Sequence, residues 1–397
     1  MLQVFANNTT AGTLDYDTNS KEFIFNYTED NPISLTMPYS TKSYTSHYHI
    51  HPIFDMSMPE GYLFELLKNV LIKEYGEIDD FILFSHLSRS IEGYLTYKKE
   101  DSSELFSLSL EEVLESKDEN LFSLLVNNFL NHSAIAGVQP KVLALLEDKV
   151  TLSSKEYIVK SFSNEYPHLA ENEYFCMKAL TYAGITVPKF WLSKSKKLFI
   201  MDKFTYHKEK KNFYGFEEFC VLFKYNKEQK YHGSYEKIAK SIAQISTQKQ
   251  DDLQMFYKMT VMNYLLKNGD AHLKNFGVLY TADKKDRFLA PAYDVVNTLV
   301  YLPHDKPALT LQGKKIWENK KSLVHFGISA CMLDEKEALI LFDTCVEAVR
   351  KMMKELEQYI KENSEFKLFG EKFLKVLHFS LTHNIDRSYK DAYDGVL

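Results

Sequence analysis

Residues 268–275 read Asn268-Gly269-Asp270-Ala271-His272-Leu273-Lys274-Asn275, and they lie between an apolar helical segment and the strand-like run Phe276 to Tyr280. Asp270 stands five positions before Asn275 on what the spacing predicts to be a tight loop. Phosphoryl transfer from a nucleotide needs a carboxylate to orient or deprotonate an acceptor hydroxyl, and oxygen ligands to hold Mg²⁺ against the phosphates. Asp270 suits the first task and Asn275 the second. The local alternative is turn chemistry alone, with Gly269 taking a positive φ and Asp270 closing the turn through its side chain. A second acidic site shifts the balance: Ala290-Pro291-Ala292-Tyr293-Asp294-Val295-Val296 follows the stretch Arg287-Phe288-Leu289. It predicts a further carboxylate at a strand end, where a second Mg²⁺ ligand belongs.

With 397 residues, 45% of them hydrophobic and 14% aromatic, the chain can bury a large core spread over two or three domains. A net charge of −6 argues against a protein that coats nucleic acid by charge alone, so any DNA contact is expected to run through a partner. Cys176, Cys220, Cys331 and Cys345 have no Cys-x-x-Cys spacing, and three of them fall in apolar helical runs. These read as buried thiols in a reducing cytoplasm, without a structural metal. No window approaches the length of a membrane span, and no export signal is recognisable at the N-terminus.

From Met1 to about Pro38 apolar and polar residues alternate between Asn-Asn and Asp-Tyr-Asp-Thr-Asn turn signals, which predicts a small antiparallel sheet. Helical spacing follows over Tyr62 to Tyr75 and again over Asp79 to Leu87. A small-residue loop, Ser133 to Lys141, then precedes an apolar hairpin and the strand Tyr157 to Phe162. Ala134, Ala136 and Gly137 would let backbone N–H groups approach phosphate oxygens, although the loop lacks the standard glycine-rich patterns. In the strand, Lys160 shares a face with Ile158 and Phe162 and is predicted to point inward. On the helix that follows, Glu173 aligns with Met177 and Leu180 on the apolar stripe. Protein kinases hold a phosphate-contacting strand lysine with a helix glutamate, and the linear order of elements here is that of a bilobed kinase. A snorkelling lysine and a first-turn glutamate favoured by the helix dipole are the alternative.

Taken together, Ile135-Ala136-Gly137-Val138-Gln139-Pro140-Lys141, Ile158-Val159-Lys160, Glu171-Asn172-Glu173-Tyr174, the run from Gly269 to Phe276 and Pro291-Ala292-Tyr293-Asp294 resemble the HipA family of bacterial serine/threonine kinases, the toxins of HipBA-type toxin–antitoxin pairs. Ile33-Ser34-Leu35-Thr36-Met37-Pro38, Phe54-Asp55 and Pro59-Glu60-Gly61 resemble the small N-terminal domain of the same family. The resemblance implies ATP and Mg²⁺ as cofactors. It makes Asp270 the catalytic carboxylate, with His272 and Lys274 shaping its loop, and Asn275 and Asp294 the metal ligands. Lys160 and Glu173, the loop residues Ala136, Gly137 and Val138, and Met201 and Lys203 of the segment Leu198 to Phe204 would bind ATP, that segment connecting the lobes. It implies a HipB-like helix-turn-helix antitoxin, operator DNA reached only through that antitoxin, and no membrane. The substrate would be a protein, an aminoacyl-tRNA synthetase or another translation component, phosphorylated to arrest growth.

Two positions depart from the family pattern. Both serine positions of the usual Ser-x-Ser-Gly or Ser-x-Ala-Gly loop are alanine, Ala134 and Ala136. Ser133, one residue earlier, is the remaining candidate for autophosphorylation, so the expectation is weakened or absent self-inactivation through this loop. The family's Asp-Arg after the linker is also missing, since Thr205-Tyr206 follows Phe204. Competing readings are a small-molecule kinase of the aminoglycoside or choline phosphotransferase type and a non-catalytic co-repressor that only joins an antitoxin to DNA. His47, His49 and His51 are read as a solvated or variable loop rather than a metal site. The expected fold is α+β and bilobed, protein-kinase-like: a β-rich small domain over 1–115, an N-lobe with the nucleotide loop over 116–204, and a mainly helical C-lobe over 205–397.

Overall fold

The computed structural model describes residues 1–58, 72, 76, 79–88, 91, 93–97, 110–115, 150–153, 156–161 and 166–386. The expected loop Ser133 to Lys141, with Ala136, Gly137 and Val138, and most of the helix expected over Tyr62 to Tyr75 lie outside the described residues. The fold is the α+β, kinase-like one expected from the sequence, and two compact units account for it. One comprises the described residues within Met1–Pro167, Phe190–Gln229 and Leu279–Lys285; the other comprises those within His168–Lys189, Lys230–Val278 and Asp286–Leu397.

The first unit opens with the antiparallel sheet predicted from alternation. Strands β1 (Leu2–Ala6), β2 (Thr9–Asp17), β3 (Glu22–Tyr27), β4 (Tyr44–His47) and β5 (Leu95–Thr96) lie in the order β4-β3-β2-β1-β5. Leu2, Val4 and Ala6 are buried while Gln3 is exposed, so period two alone sets which face is covered. Asn7 and Asn8 join β1 to β2 with φ of 49° and 61°, the paired positive values that a two-residue hairpin turn demands and asparagine tolerates. Helix α1 (Pro52–Asp55) precedes α2 (Asp80–Leu87), which starts where Asp79 accepts the Ile82 N–H at 2.7 Å. Phe25, Phe54, Phe84 and Tyr97 form one aromatic cluster beneath this sheet, with Phe84 and Tyr97 edge-on at 4.9 Å. His51 is buried there, and burial pushes its imidazole down to about 4. It is therefore a neutral core histidine, not part of a solvated loop, and among the described residues no three metal-ligating side chains converge.

A short helix α3 (Leu110–Glu115) precedes the second sheet of this unit, β6 (Val150–Ser153), β7 (Tyr157–Ser161), β8 (Phe190–Leu192) and β9 (Leu198–Asp202), in the order β6-β7-β9-β8. Lys160 on β7 stands opposite Phe199 on β9 and is 3% exposed, its Nζ 5.7 Å from the Phe199 ring centroid. Leu198 to Met201 are all buried, which makes the expected connecting segment a core strand for most of its length. At its end the Lys203 N–H is committed to the Glu156 carbonyl at 2.7 Å. A hairpin, β10 (Tyr206–His207) and β11 (Asn212–Phe213), leads to β12 (Gly215–Glu218) and α5 (Phe219–Leu222).

The second unit is mainly helical: α4 (Leu169–Tyr182), α6 (Tyr235–Ile245), α7 (Lys249–Leu265), α8 (Lys320–Ser329), α9 (Glu335–Glu362) and α10 (Lys367–Asp386). Helix α4, with its buried Glu173, groups with these helices. Helix α9 buries Phe342, Val346, Val349, Met353 and Leu356 at helical spacing and starts at Asp334, which accepts the Glu337 N–H at 2.7 Å. Helix α7 has almost no polar face from Leu253 onward and is the centre of the unit. Its Phe256 meets Phe276 and Phe326 edge-on, and its Lys258 caps the end of α4 by donating to the Ala183 and Gly184 carbonyls at 3.1 and 2.8 Å. All four cysteines are buried thiols, and none of them forms a disulfide. None of the helices among the described residues is long and apolar enough to cross a membrane.

Candidate active site

Helix α7 ends at Leu265 with Leu266 as its C-cap, and the chain then turns through Lys267, whose φ is 58°. The positive φ expected at Gly269 thus belongs to Lys267 instead. Glycine is required at 269 for space: a Cβ there would lie 1.9 Å from Oδ2 of Asp305. The Gly269 N–H donates to Thr298 Oγ1 at 2.9 Å, Thr298 Oγ1 donates in turn to Asp305 Oδ2, and its N–H is held by the Lys267 carbonyl. Lys267 is 1% exposed over the Trp317 ring, and burial pushes its ammonium down to about 7.

This scaffold delivers Asp270 half-exposed, with Oδ1 accepting from the Tyr231 hydroxyl at 3.2 Å and lying 3.8 Å from Nε2 of the buried His272. Beyond it the chain makes one 3₁₀ turn, Leu273–Asn275. Asn275 Oδ1 accepts the His272 N–H at 2.9 Å, and its Nδ2 donates to Asp294 Oδ2 at 3.0 Å. Lys274 contributes its carbonyl, which accepts from the Tyr293 hydroxyl at 2.6 Å. The Asp270 loop and the Asp294 segment are therefore tied to each other at two points.

After β13 (Gly277–Tyr280) and β14 (Arg287–Leu289) the chain leaves regular structure, and Asp294 lies five residues past the end of β14, not at a strand end as expected. Its φ is 57°, a left-handed conformation that aspartate adopts at modest cost and that functional sites often retain. Asn172 of α4 anchors the same segment, accepting the Asn297 N–H at 2.8 Å and donating to the Asn297 carbonyl at 2.9 Å. Both contacts are fully buried. Asn172→Ala is expected to destabilise the protein by about 2–3 kcal/mol, because it strands a buried N–H and C=O together. Urea unfolding tests this, and a change below about 1 kcal/mol would show that the clamp is dispensable.

The structure thus gathers Asp270, His272, Lys274, Asn275 and Asp294 into one site of the second unit. Glu173 is buried in that unit, while Lys160, Met201 and Lys203 belong to the first. Tyr231, Thr298, Asp305 and Asn172 were not assigned roles from sequence; Asn172 lies within the quoted Glu171-Asn172-Glu173-Tyr174 run, and no short-range motif marks the other three. A Mg²⁺ site fits the donors present. Mg²⁺ is bound by one or two carboxylates, with water and phosphate oxygens completing its shell, and no all-protein cage is needed. Asp294 would supply the carboxylate, and the Asn275 side-chain oxygen has a second lone pair beyond the one His272 uses.

Residues 133–355 match the HipA-like C-terminal domain and residues 2–98 the HipA N-terminal domain. The chain belongs to the HipA family. A provisionally named kinase of Haemophilus influenzae is 30% identical to this HipA-family chain over 184 residues, 42% of the chain and 53% of that protein. The chain thus spans about half the length of that relative. The provisionally named kinase Y4dM of Sinorhizobium fredii is 27% identical over 329 residues, 76% of the chain and 75% of its own length. Among solved structures, the Shewanella oneidensis toxin–antitoxin complex of HipA, HipB and operator DNA matches with a TM-score of 0.69 at 15% identity, covering 96% of each chain. At that identity the match establishes the fold.

Proposed function

We propose that this HipA-family chain is an ATP- and Mg²⁺-dependent serine/threonine protein kinase, the toxin of a HipBA-type pair. The observation that carries the reading is the half-exposed Asp270 carboxylate, which already accepts a hydroxyl beside the Asn275–Asp294 pair. In this reading Asp270 orients the acceptor hydroxyl and takes its proton. Asn275 and Asp294 hold Mg²⁺, which supplies charge neutralisation of the phosphates when bound. Lys160 contacts the phosphates, and His272 and Lys274 fix the loop through their backbone groups. The acceptor is a serine or threonine of a translation component such as an aminoacyl-tRNA synthetase. A HipB-like antitoxin is the neutralising partner and the route to operator DNA, a proposal supported by the HipB and operator DNA present with the Shewanella HipA.

Transfer of labelled γ-phosphate to proteins of a bacterial lysate tests the proposal. Wild-type protein with Mg²⁺ is expected to label a discrete protein band, and Asp270→Ala to lower that labelling by about 10²–10⁴-fold, the range of a lost general base. Equal labelling by the variant, or no protein labelled by the wild type, defeats it; transfer confined to small molecules would favour the phosphotransferase reading instead.

A further inference from the structure

Tyr231 ends the 3₁₀ segment Lys227–Tyr231 and is exposed, yet its hydroxyl is directed onto Asp270 Oδ1 at 3.2 Å. The contact is held in place from several sides. The Tyr231 ring meets the His272 ring edge-on at 5.3 Å, and Lys315 Nζ donates to the Tyr231 carbonyl at 3.2 Å. Two residues further on, the Gly233 carbonyl accepts from the Thr310 N–H at 3.2 Å, and the Thr310 carbonyl accepts from the Tyr235 N–H at 3.1 Å. A hydroxyl donating to the proton-accepting carboxylate of a phosphotransferase makes the hydrogen bond that defines an acceptor poised for transfer. A phenol also gives up its proton far more readily than an aliphatic alcohol, its ordinary pKa being about 10.

We propose that Tyr231 is a self-modification site, a phosphate acceptor for the chain's own Asp270. The proposal rests on the kinase reading above. The phenolic oxygen attacks the γ-phosphorus of ATP. A bond forms between them, the bond from that phosphorus to the β,γ-bridging oxygen breaks, and ADP leaves. The phenolic proton passes to Asp270 Oδ1 and then to solvent. The product carries about −1.5 to −2 charges, which Asp270 repels and nearby cations attract. Two cations are at hand: Lys315, on the Tyr231 carbonyl, and Lys230, whose Nζ lies 5.4 Å from the Tyr231 ring centroid. The same segment therefore offers both the acceptor geometry and a place for the phosphorylated ring to settle.

The full-length chain is incubated with Mg-ATP and its phosphopeptides are mapped by mass spectrometry. Phosphotyrosine at 231, absent from Tyr231→Phe and from Asp270→Asn, is the expected result. Phosphate on other residues or steady ATP turnover, dependent on Asp270 but with Tyr231 unmodified, overturns the proposal and leaves the kinase standing. Failure of every Asp270-dependent transfer and of ATP hydrolysis overturns both. A second readout needs no nucleotide. Labelling of the Asp270 carboxylate by a water-soluble carbodiimide is expected to be about threefold faster in Tyr231→Phe, whose ring keeps its packing but loses the hydrogen bond. Equal labelling rates would show that the hydroxyl does not occupy Asp270 in solution and would also overturn the proposal.

Discussion

Asp294→Asn is expected to lower Mg²⁺-dependent phosphoryl transfer about a thousandfold, the scale of losing a preorganised charge contact to the reacting phosphates. The same variant is expected to keep its unfolding free energy within about 0.5 kcal/mol of wild type. The separation follows from the local backbone. Asp294 has a φ of 57°, and asparagine is the side chain that best shares aspartate's tolerance of that region. The Asn275 Nδ2 at 3.0 Å still finds an acceptor in the amide oxygen. What disappears is the negative charge, so the Mg²⁺ concentration needed for half-maximal transfer rises along with the loss of rate. Asp294→Val is the contrasting variant: a β-branched residue in the left-handed region costs about 1–2 kcal/mol, so both stability and transfer fall. Transfer by Asp294→Asn within tenfold of wild type would remove Asp294 from the metal site.

The gathering of these residues was legible because most of them are close in sequence. Asp270, His272, Lys274 and Asn275 fall within six consecutive positions, and turn residues and flanking apolar runs announce the loop between helix and strand. The inward Glu173 was likewise readable from helical period, and the strands of the N-terminal sheet from alternation. What escaped depends on contacts between distant positions. Gly269 is glycine because of Asp305, which no local turn rule contains. Asn172 and Asn297 are 125 residues apart, and a polar residue in a helix's first turns reads as solvated until its partner is known. Tyr231 meets Asp270 from 39 residues away, on a segment whose charged composition reads as surface. Asp294 was expected at a strand end because it follows the strand-like stretch Arg287-Phe288-Leu289, whereas its segment is irregular and held by side-chain hydrogen bonds.

Glu217 carries the second large expectation, and it concerns pH. It lies on β12, fully buried, and accepts from the Leu35 N–H at 2.6 Å, Ser34 Oγ at 3.0 Å and the Tyr280 hydroxyl at 3.0 Å. The residues Ser34 and Leu35 belong to the stretch that resembles the family's N-terminal domain, so one carboxyl ties that domain to the rest of its unit. Burial pushes Glu217 up to about 7 from the ordinary 4.5, although these hydrogen bonds and the nearby Lys284 pull the other way. Lys284 is itself pushed down by burial and donates to the Pro32 carbonyl at 2.6 Å and the Tyr94 hydroxyl at 2.9 Å. Tyr94 and Tyr27 also face the carboxyl and are pushed up by burial, so neither ionises near neutrality. Between pH 4.5 and 7 the folded state therefore binds the Glu217 proton more tightly than the unfolded chain does. The resulting stability is fully present below about 4.5 and is lost as pH rises through about 7, a loss of roughly 3 kcal/mol from this group. Any contribution from Lys284 has the opposite sign and falls at higher pH, between its lowered value and 10.5. Glu217→Gln keeps an acceptor for the Leu35 N–H and removes the titration. Its stability relative to wild type should therefore rise by up to about 3 kcal/mol between pH 5 and pH 8, the lost linkage of the carboxyl. Glu217→Ala leaves the Leu35 N–H and two hydroxyls without their acceptor and is expected to cost about 3 kcal/mol at pH 5. Urea unfolding of the three proteins at both pH values decides the matter, and a difference between wild type and Glu217→Gln that does not change with pH would mean that Glu217 is already ionised in the folded protein.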